Sequence, residues 1–346
     1  MKNLYTLLYG AKKNVGDYLI LDRAMKLLNK HQPKHDLHLV KRWLPIDEHL
    51  DKINKSKAVL LCGGPAYQKD LYPGIYPLTD RLEDIKVPII PFGLGWFSEY
   101  SEQNWEDFRF SNVSQLFLDQ IHRTIPISST RDYYTESILK NHGYHNTIMT
   151  GCPAWYELDY IEKEFSKQNK IKKVVVTTAQ DVKYHEQNIE VLKRTRKMFA
   201  NSELFCVFHR GIHHDKETSI SEEQNLLKIK ENAEALGYKI IDAAYDVKNI
   251  DFYKDCDIHI GYRVHAHIYF LSIRKPSFLL HEDGRGRGFS DALALKNDLP
   301  AFKANVLDEL FENLELEYSL GFTGFLGLEN KFQVYYNNMK SFLSSL

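Results

Sequence analysis

Residues 4–30 read LYTLLYGAKKNVGDYLILDRAMKLLNK. The apolar run 4–9 has the length of a strand, and Gly10 interrupts it. From 18 to 30, Leu19, Ile20, Ala24, Leu27 and Leu28 then recur on one helical face. A strand, a glycine-bearing turn and an amphipathic helix make one β-α unit, and the unit repeats. Further strand-like runs lie at 37–40, 58–62, 88–92, 127–130 and 146–150, with a second helix at 132–141 stopped by Gly143. The charged segment 157–172 interrupts the alternation and reads as an interdomain connection. Strands resume at 174–178, 204–208, 239–241, 257–261 and 277–280, and the apolar spacing of 331–346 predicts a C-terminal helix.

Continuous apolar strands separated by helices indicate parallel sheets covered on both faces. The expected class is α/β, with two Rossmann-like domains facing a cleft. Residues 1–156 form the first, 157–172 link them, 173–330 form the second, and 331–346 add the last helix. A length of 346 residues suits two domains of roughly 150 each. In open α/β sheets ligands sit beyond the carboxyl ends of the strands, so the loops after the strands are the places to look for chemistry.

The composition narrows the class. The 45 basic and 46 acidic residues nearly cancel, which gives no reason to expect a nucleic-acid partner and confines any anion site to a local cluster. Tyr5 and Tyr9 break the apolar N-terminal run and no small-residue cleavage site follows, so it reads as a first strand and not a signal peptide. No apolar run approaches the roughly 18 residues of a transmembrane helix. Cys62, Cys152, Cys206 and Cys256 are dispersed without CxxC spacing, which argues against a zinc site and fits a reducing cytoplasm.

Four loops of the first domain follow strands. In Gly10–Asp17, glycine and a helix start suit an anion, with Asn14, Gly16 and Asp17 as candidates, though Asp17 could equally cap the helix. Gly63-Gly64 and Gly93-Leu94-Gly95 are tight turns or close approaches to a ligand. Arg131-Asp132 opens a helix, either towards the cleft or as a surface pair. In the second domain, residues 258–267 (IHIGYRVHAH) place Arg263 and His265 at a helix start, where guanidinium and free amides suit phosphate or carboxylate. Metal ligation by His265 and His267 is disfavoured because no acidic or cysteine partner stands at matching spacing. The glycine-arginine run 283–289 reads as a mobile basic loop with Arg285 and Arg287 as clamps, preceded by Glu282. Arg210 could reach the cleft, while 213–215 reads as a solvated loop. Tyr67, Trp96, Phe97, Trp155 and Tyr156 are candidates to stack on sugars or to be core.

Taken in order, Asn14-Val15-Gly16-Asp17, Gly63-Gly64, Gly93-Leu94-Gly95, Arg131-Asp132, Gly151-Cys152-Pro153-Ala154, Arg263-Val264-His265-Ala266 and Pro276…Asp283…Gly288-Phe289 resemble the polysaccharide pyruvyl transferase family over roughly residues 1–290. The resemblance implies a GT-B-like fold, an acceptor side on the first domain and a donor side on the second. It implies transfer of pyruvate from phosphoenolpyruvate onto sugar hydroxyls as a ketal, by a cytoplasmic enzyme or one peripheral at the inner face of the membrane. Phosphoenolpyruvate is then the donor substrate, and no separate cofactor or metal is expected. The acceptor is a saccharide, lipid-linked or free. Arg131, Arg263 and His265 would contact the donor, helped by Arg285 or Arg287 where relatives often have Lys. Val264 replaces a common Leu, and Pro65 closes the glycine pair.

For this chemistry His265 is the expected proton donor or phosphate partner, and Asp17 and Glu282 the expected bases. A GT-B glycosyltransferase using a nucleotide sugar is the competing reading, since fold alone does not choose a reaction. A non-catalytic glycan-binding protein would have little use for the cationic cluster. The missing GxGxxG disfavours a dinucleotide-dependent oxidoreductase.

Overall fold

The computed structural model describes residues 3–97 and 104–346. In the first half, β1 (Asn3–Tyr9), β2 (His35–Lys41), β3 (Ala58–Cys62) and β4 (Ile89–Phe92) form a parallel sheet in the order β2-β1-β3-β4. Strands β5 (Ser128–Thr130) and β6 (Thr147–Met149) pair in parallel and extend it. Just past β4 the Gly93 amide donates to the Ser129 carbonyl (3.0 Å) and the Arg131 amide to the Leu94 carbonyl (2.8 Å). Helices α1 (Val15–His31), α2 (Leu50–Ile53), α3 (Asn112–Thr124) and α4 (Tyr133–Asn141) complete this half.

The second sheet is parallel throughout. It comprises β7 (Lys173–Thr177), β8 (Glu203–Phe208), β9 (Lys239–Asp242), β10 (Ile258–Gly261), β11 (Ser277–His281) and β12 (Leu299–Pro300), in the order β12-β11-β10-β7-β8-β9. Each strand read from the apolar runs is present. The two-residue β12 had no run to announce it. Helices α5 (His185–Met198), α6 (Ile220–Ala235), α7 (Val264–Ser272), α8 (Gly284–Leu293), α9 (Val306–Ser319) and α10 (Leu328–Ser344) follow. The strand order reverses between β7 and β10, where a doubly wound sheet opens its crevice.

The periodicities that define these elements also build the cores. On α1, Leu19, Ile20, Ala24, Leu27 and Leu28 are buried, and each large side chain contributes about 1.5–3 kcal/mol by leaving water. Helix α10 returns to the first half. Phe342 packs on Phe92 at 5.5 Å between ring centres, Asn338 donates to the Met149 carbonyl (2.9 Å), and the Tyr5 hydroxyl donates to the Leu346 carbonyl (3.3 Å). The segment between the sheets is tied on both sides. Glu157 pairs with Arg23 of α1 (2.5 Å), and Arg274 donates to the carbonyls of Lys163 (2.9 Å) and Ile161 (3.2 Å). Among the described residues no helix is long and apolar enough to cross a membrane.

Candidate active site

The turn from β10 into α7 carries Arg263. Arg263 is the N-cap of α7, and its amide donates to Thr177 Oγ1 (3.2 Å) at the end of β7. Its guanidinium donates to Gln180 Oε1 and, at 3.4 Å, to the Ala179 carbonyl, while Nε has no partner. Burial brings its pKa down to about 10 against the pull of Glu282, with Arg210 and Arg285 adding to the repulsion. His265 stands in the first turn of α7. Burial, then Arg285, Arg131 and Arg263, hold its pKa at about 3, so the imidazole is neutral at pH 7. A bound anion would offset those cations and restore its affinity for a proton.

Arg131 reaches the same place from the first half. It is 7% exposed, and its Nε donates to Asp132 (2.9 Å) and Nη2 to the Trp96 carbonyl (2.7 Å). Asp132 in turn caps α4 through the Thr135 amide (2.8 Å). The pair is therefore buried and oriented, not a surface ion pair. A Cβ on Gly95 would lie 2.1 Å from the Arg131 guanidinium carbon, so only glycine leaves room for the fork.

The run 283–289 is not a mobile loop. Asp283 caps α8 by accepting from the Arg285 amide (2.9 Å), and the glycines let that helix pack closely, Gly288 against Asp132 of the other half. Arg285 lies towards the cleft, held by Asp283 (Nε to Oδ2, 2.9 Å). Arg287 lies over the Tyr134 ring (5.1 Å) beside Asp291 and lines none of the chambers described below. Glu282, expected as a base, accepts from the backbone amides of Gln180 (3.0 Å) and Asp181 (2.8 Å). Its carboxylate is thereby committed to tying the loop after β7 to the end of β11 and to countering Arg263.

At the start of α1 the cap is Asn14, which accepts from the Gly16 amide (3.3 Å) and donates to Asp17 (3.3 Å). Of the two alternatives for Asp17, capping is thereby excluded, and its carboxyl lines the cleft. Burial raises the Asp17 pKa against the opposing pull of Arg42 and Arg285. Gly16 touches the opposite half, since a Cβ there would meet His265 Nδ1 at 2.1 Å. Lys13 crosses as well: its ammonium donates to Thr218 Oγ1 (2.6 Å) and pairs with Asp215 (2.7 Å). Asp215 thus clasps Lys13 of the first half, while the His213 and His214 side chains are exposed, as the solvated-loop reading expected.

Three cavities share these residues. One of about 20 Å³ is walled by Gly64, Arg131, Cys152, His265 and Arg285 among others. A second of about 30 Å³ shares His265 and Arg285 and adds Asn14, Arg263 and Glu282. A third of about 330 Å³ shares Asn14 and includes Asp17, Lys12, Arg42, Trp43 and Arg210. Arg42 and Trp43 went unread in the sequence, although they directly follow β2 as the other candidate loops follow their strands. Gly63 stands one residue outside the first cavity, its Cβ position 2.4 Å from Ile20. Tyr67, Trp96 and Tyr156 are buried core residues, Trp155 is buried and walls the first cavity, and Phe97 is half-buried. Among the described residues no group of three or more His, Cys, Asp or Glu side chains is placed to hold a metal ion.

Burial keeps His209, His259, His265 and His281 below the usual imidazole pKa. Between their folded values and about 6.5 the unfolded chain binds more protons, so stability is present above pH 6.5 and is lost as pH falls. Each such histidine contributes about 1.4 kcal/mol per pH unit in that window. Asp17 and Glu282, whose pKa values are raised, act in the opposite sense but are outnumbered. Urea midpoints should be flat from pH 8 to 7 and fall from 6.5 to 5. A midpoint that rises on acidification would contradict this balance.

The chain resembles solved structures over nearly its whole length. MnaA of S. aureus, solved with UDP, shares 14% identity at a TM-score of 0.55, covering 100% of this chain and 98% of that one. UDP-GlcNAc 2-epimerase from Methanocaldococcus jannaschii shares 10% identity at 0.54, covering 97% and 99%. The Neisseria meningitidis enzyme of that name, bound to UDP-GlcNAc, shares 12% at 0.50, covering 99% and 98%. At such identities the likeness establishes the fold, which is GT-B. No curated protein sequence matches the chain. The sequence profile described as polysaccharide pyruvyl transferase matches residues 14–283, a span that contains Asn14, Arg131, Arg263, His265 and the Asp283 cap of α8. The chain belongs to the polysaccharide pyruvyl transferase family.

Proposed function

We propose that this protein transfers the pyruvyl group of phosphoenolpyruvate to two hydroxyls of a saccharide, forming a cyclic ketal and releasing inorganic phosphate. The observation that carries the reading is the convergence of Arg131, Arg263 and Arg285, from both domains, on the neutral imidazole of His265. A donor with a phosphate and a carboxylate needs several cations at short range, and guanidinium forks match both groups. The two chambers have room for little more than a water each. The donor therefore enters as the domains part, and closure brings the arginines onto it.

In the reaction the methylene carbon takes a proton, a sugar hydroxyl adds to C2, the C–O bond to phosphate breaks, and a second hydroxyl closes the ketal. His265 gains a proton affinity when the anion arrives, which suits it to protonate the donor and to bind the leaving phosphate. Asp17 faces the larger cavity, where Trp43 offers a surface for a sugar ring, and is positioned to take the hydroxyl protons.

Thermal melting tests this directly. Phosphoenolpyruvate should raise the melting temperature, and Arg263→Ala should abolish the rise. Stabilisation by UDP, GDP or CMP sugars alone would overturn the reading in favour of glycosyl transfer.

A further inference from the structure

His259 and His267, the other histidines of the 258–267 segment, belong to one buried chain of hydrogen bonds. The Arg263 amide donates to Thr177 Oγ1 (3.2 Å), which lies 2.8 Å from His259 Nε2. His259 Nδ1 is 2.7 Å from Ser277 Oγ, and Ser277 Oγ is 2.7 Å from His267 Nδ1. His267 Nε2 lies 3.0 Å from Asp298 Oδ2, within ion-pair distance but outside hydrogen-bond geometry. The Ser290 hydroxyl (2.5 Å) and the Leu279 amide (3.1 Å) donate to Asp298. Thr177, His259, Ser277, His267 and the Asp298 side chain are all at most 1% exposed, so water does not supply partners.

We propose that Asp298 is a positioning residue that gives this chain a single direction and so holds the Arg263 turn in place. A carboxylate only accepts, so a His267 ring bearing one proton carries it on Nε2, facing Asp298, and its Nδ1 accepts. Ser277 therefore donates to His267 and accepts from His259, whose proton sits on Nδ1. Its Nε2 then takes the Thr177 hydroxyl proton, leaving Thr177 Oγ1 lone pairs for the Arg263 amide. From Ser277 to the Arg263 amide each donor meets an acceptor, and the direction is set by the charge 3.0 Å from His267 Nε2. Without that charge the chain can reverse, and His259 would then donate to the oxygen that receives the Arg263 amide. Buried networks of this kind are costly when partly satisfied and restrict their surroundings when complete. Arg263 and His265 lie two residues apart on the turn so held, so the effect on turnover rests on the proposed reaction, whereas the chain itself does not.

Nitrogen NMR of protein labelled in its histidine rings reads both tautomers. The expected result is His259 protonated at Nδ1 and His267 at Nε2. Asp298→Asn, which can donate as well as accept, should shift both towards the opposite tautomer and speed hydrogen exchange at the Arg263 amide. It should also lower kcat/KM for pyruvyl transfer by about 10-fold, the smaller end of what loss of a supporting residue costs. Thr177→Val should reproduce the faster exchange while leaving His267 unchanged, and Ser290→Ala should leave both tautomers unchanged. Finding His259 protonated at Nε2, or His267 protonated at both nitrogens, in the unmodified protein overturns the proposal, and that spectrum decides even where the Asp298 variant does not fold. Unchanged tautomers in a folded Asp298→Asn protein overturn it equally. These spectra require no substrate, so absence of pyruvyl transfer would count against the proposed reaction alone.

Discussion

Replacing Arg131 with alanine should lower kcat/KM for pyruvyl transfer by about 100- to 1,000-fold, the cost typical of removing one preorganised donor from a reacting anion. Arg131 is committed on one side to Asp132 and the Trp96 carbonyl, and it walls the same cavity as His265 and Arg285. Lysine should not rescue it, because an ammonium holding those two partners has one donor left and no planar fork for a bidentate anion contact. Steady-state kinetics of Arg131→Ala and Arg131→Lys check this. Near-normal turnover in the lysine variant would show that charge alone matters there. A melting temperature unchanged by phosphoenolpyruvate in the alanine variant would place the loss at donor binding.

Gly16→Ala should be nearly as damaging, for a different reason. Alanine favours a helix over glycine by about 1 kcal/mol, so α1 itself should be unharmed. The added methyl, however, would sit 2.1 Å from His265 Nδ1, well inside contact distance. Either the imidazole swings aside or the two domains stay apart, and displacements of about 1 Å at a reacting centre cost on the order of 100-fold. The expected outcome is unchanged helical circular dichroism with transfer reduced by about 100-fold. Full activity in Gly16→Ala would mean that the domains need not close on each other at this point.

Much of this architecture was legible in the residues themselves. The β-α units announce themselves because buried parallel strands are continuously apolar while their helices repeat every 3.6 residues, as in Leu19, Ile20, Ala24, Leu27 and Leu28. Arg131 and Arg263 were legible as candidates because each follows a strand and opens a helix, which places them on the ligand edge of the sheet. The choice between Arg285 and Arg287 was not legible. Two residues apart on a helix differ by about 200° of rotation, and only the seating of α8 against Asp132 and His281 turns Arg285 inward. The cap of α1 was left open for a local reason. Asn14 and Asp17 are both good cap residues, and only the backbone conformation at Asn14 selects it.

The amino-acid sequence by itself determined the two parallel sheets, the edge on which chemistry is placed, and the cationic character of that edge, since these follow from periodicity and from neighbours along the chain. Only the tertiary structure decided which charges meet. Gly16 against His265, Lys13 in the clasp of Asp215 and Thr218, and Asp298 at the end of a hydrogen-bond chain reaching Arg263 join residues far apart in sequence. Such pairings depend on distances of a few ångströms across packed surfaces, and no local pattern of residue types encodes those distances.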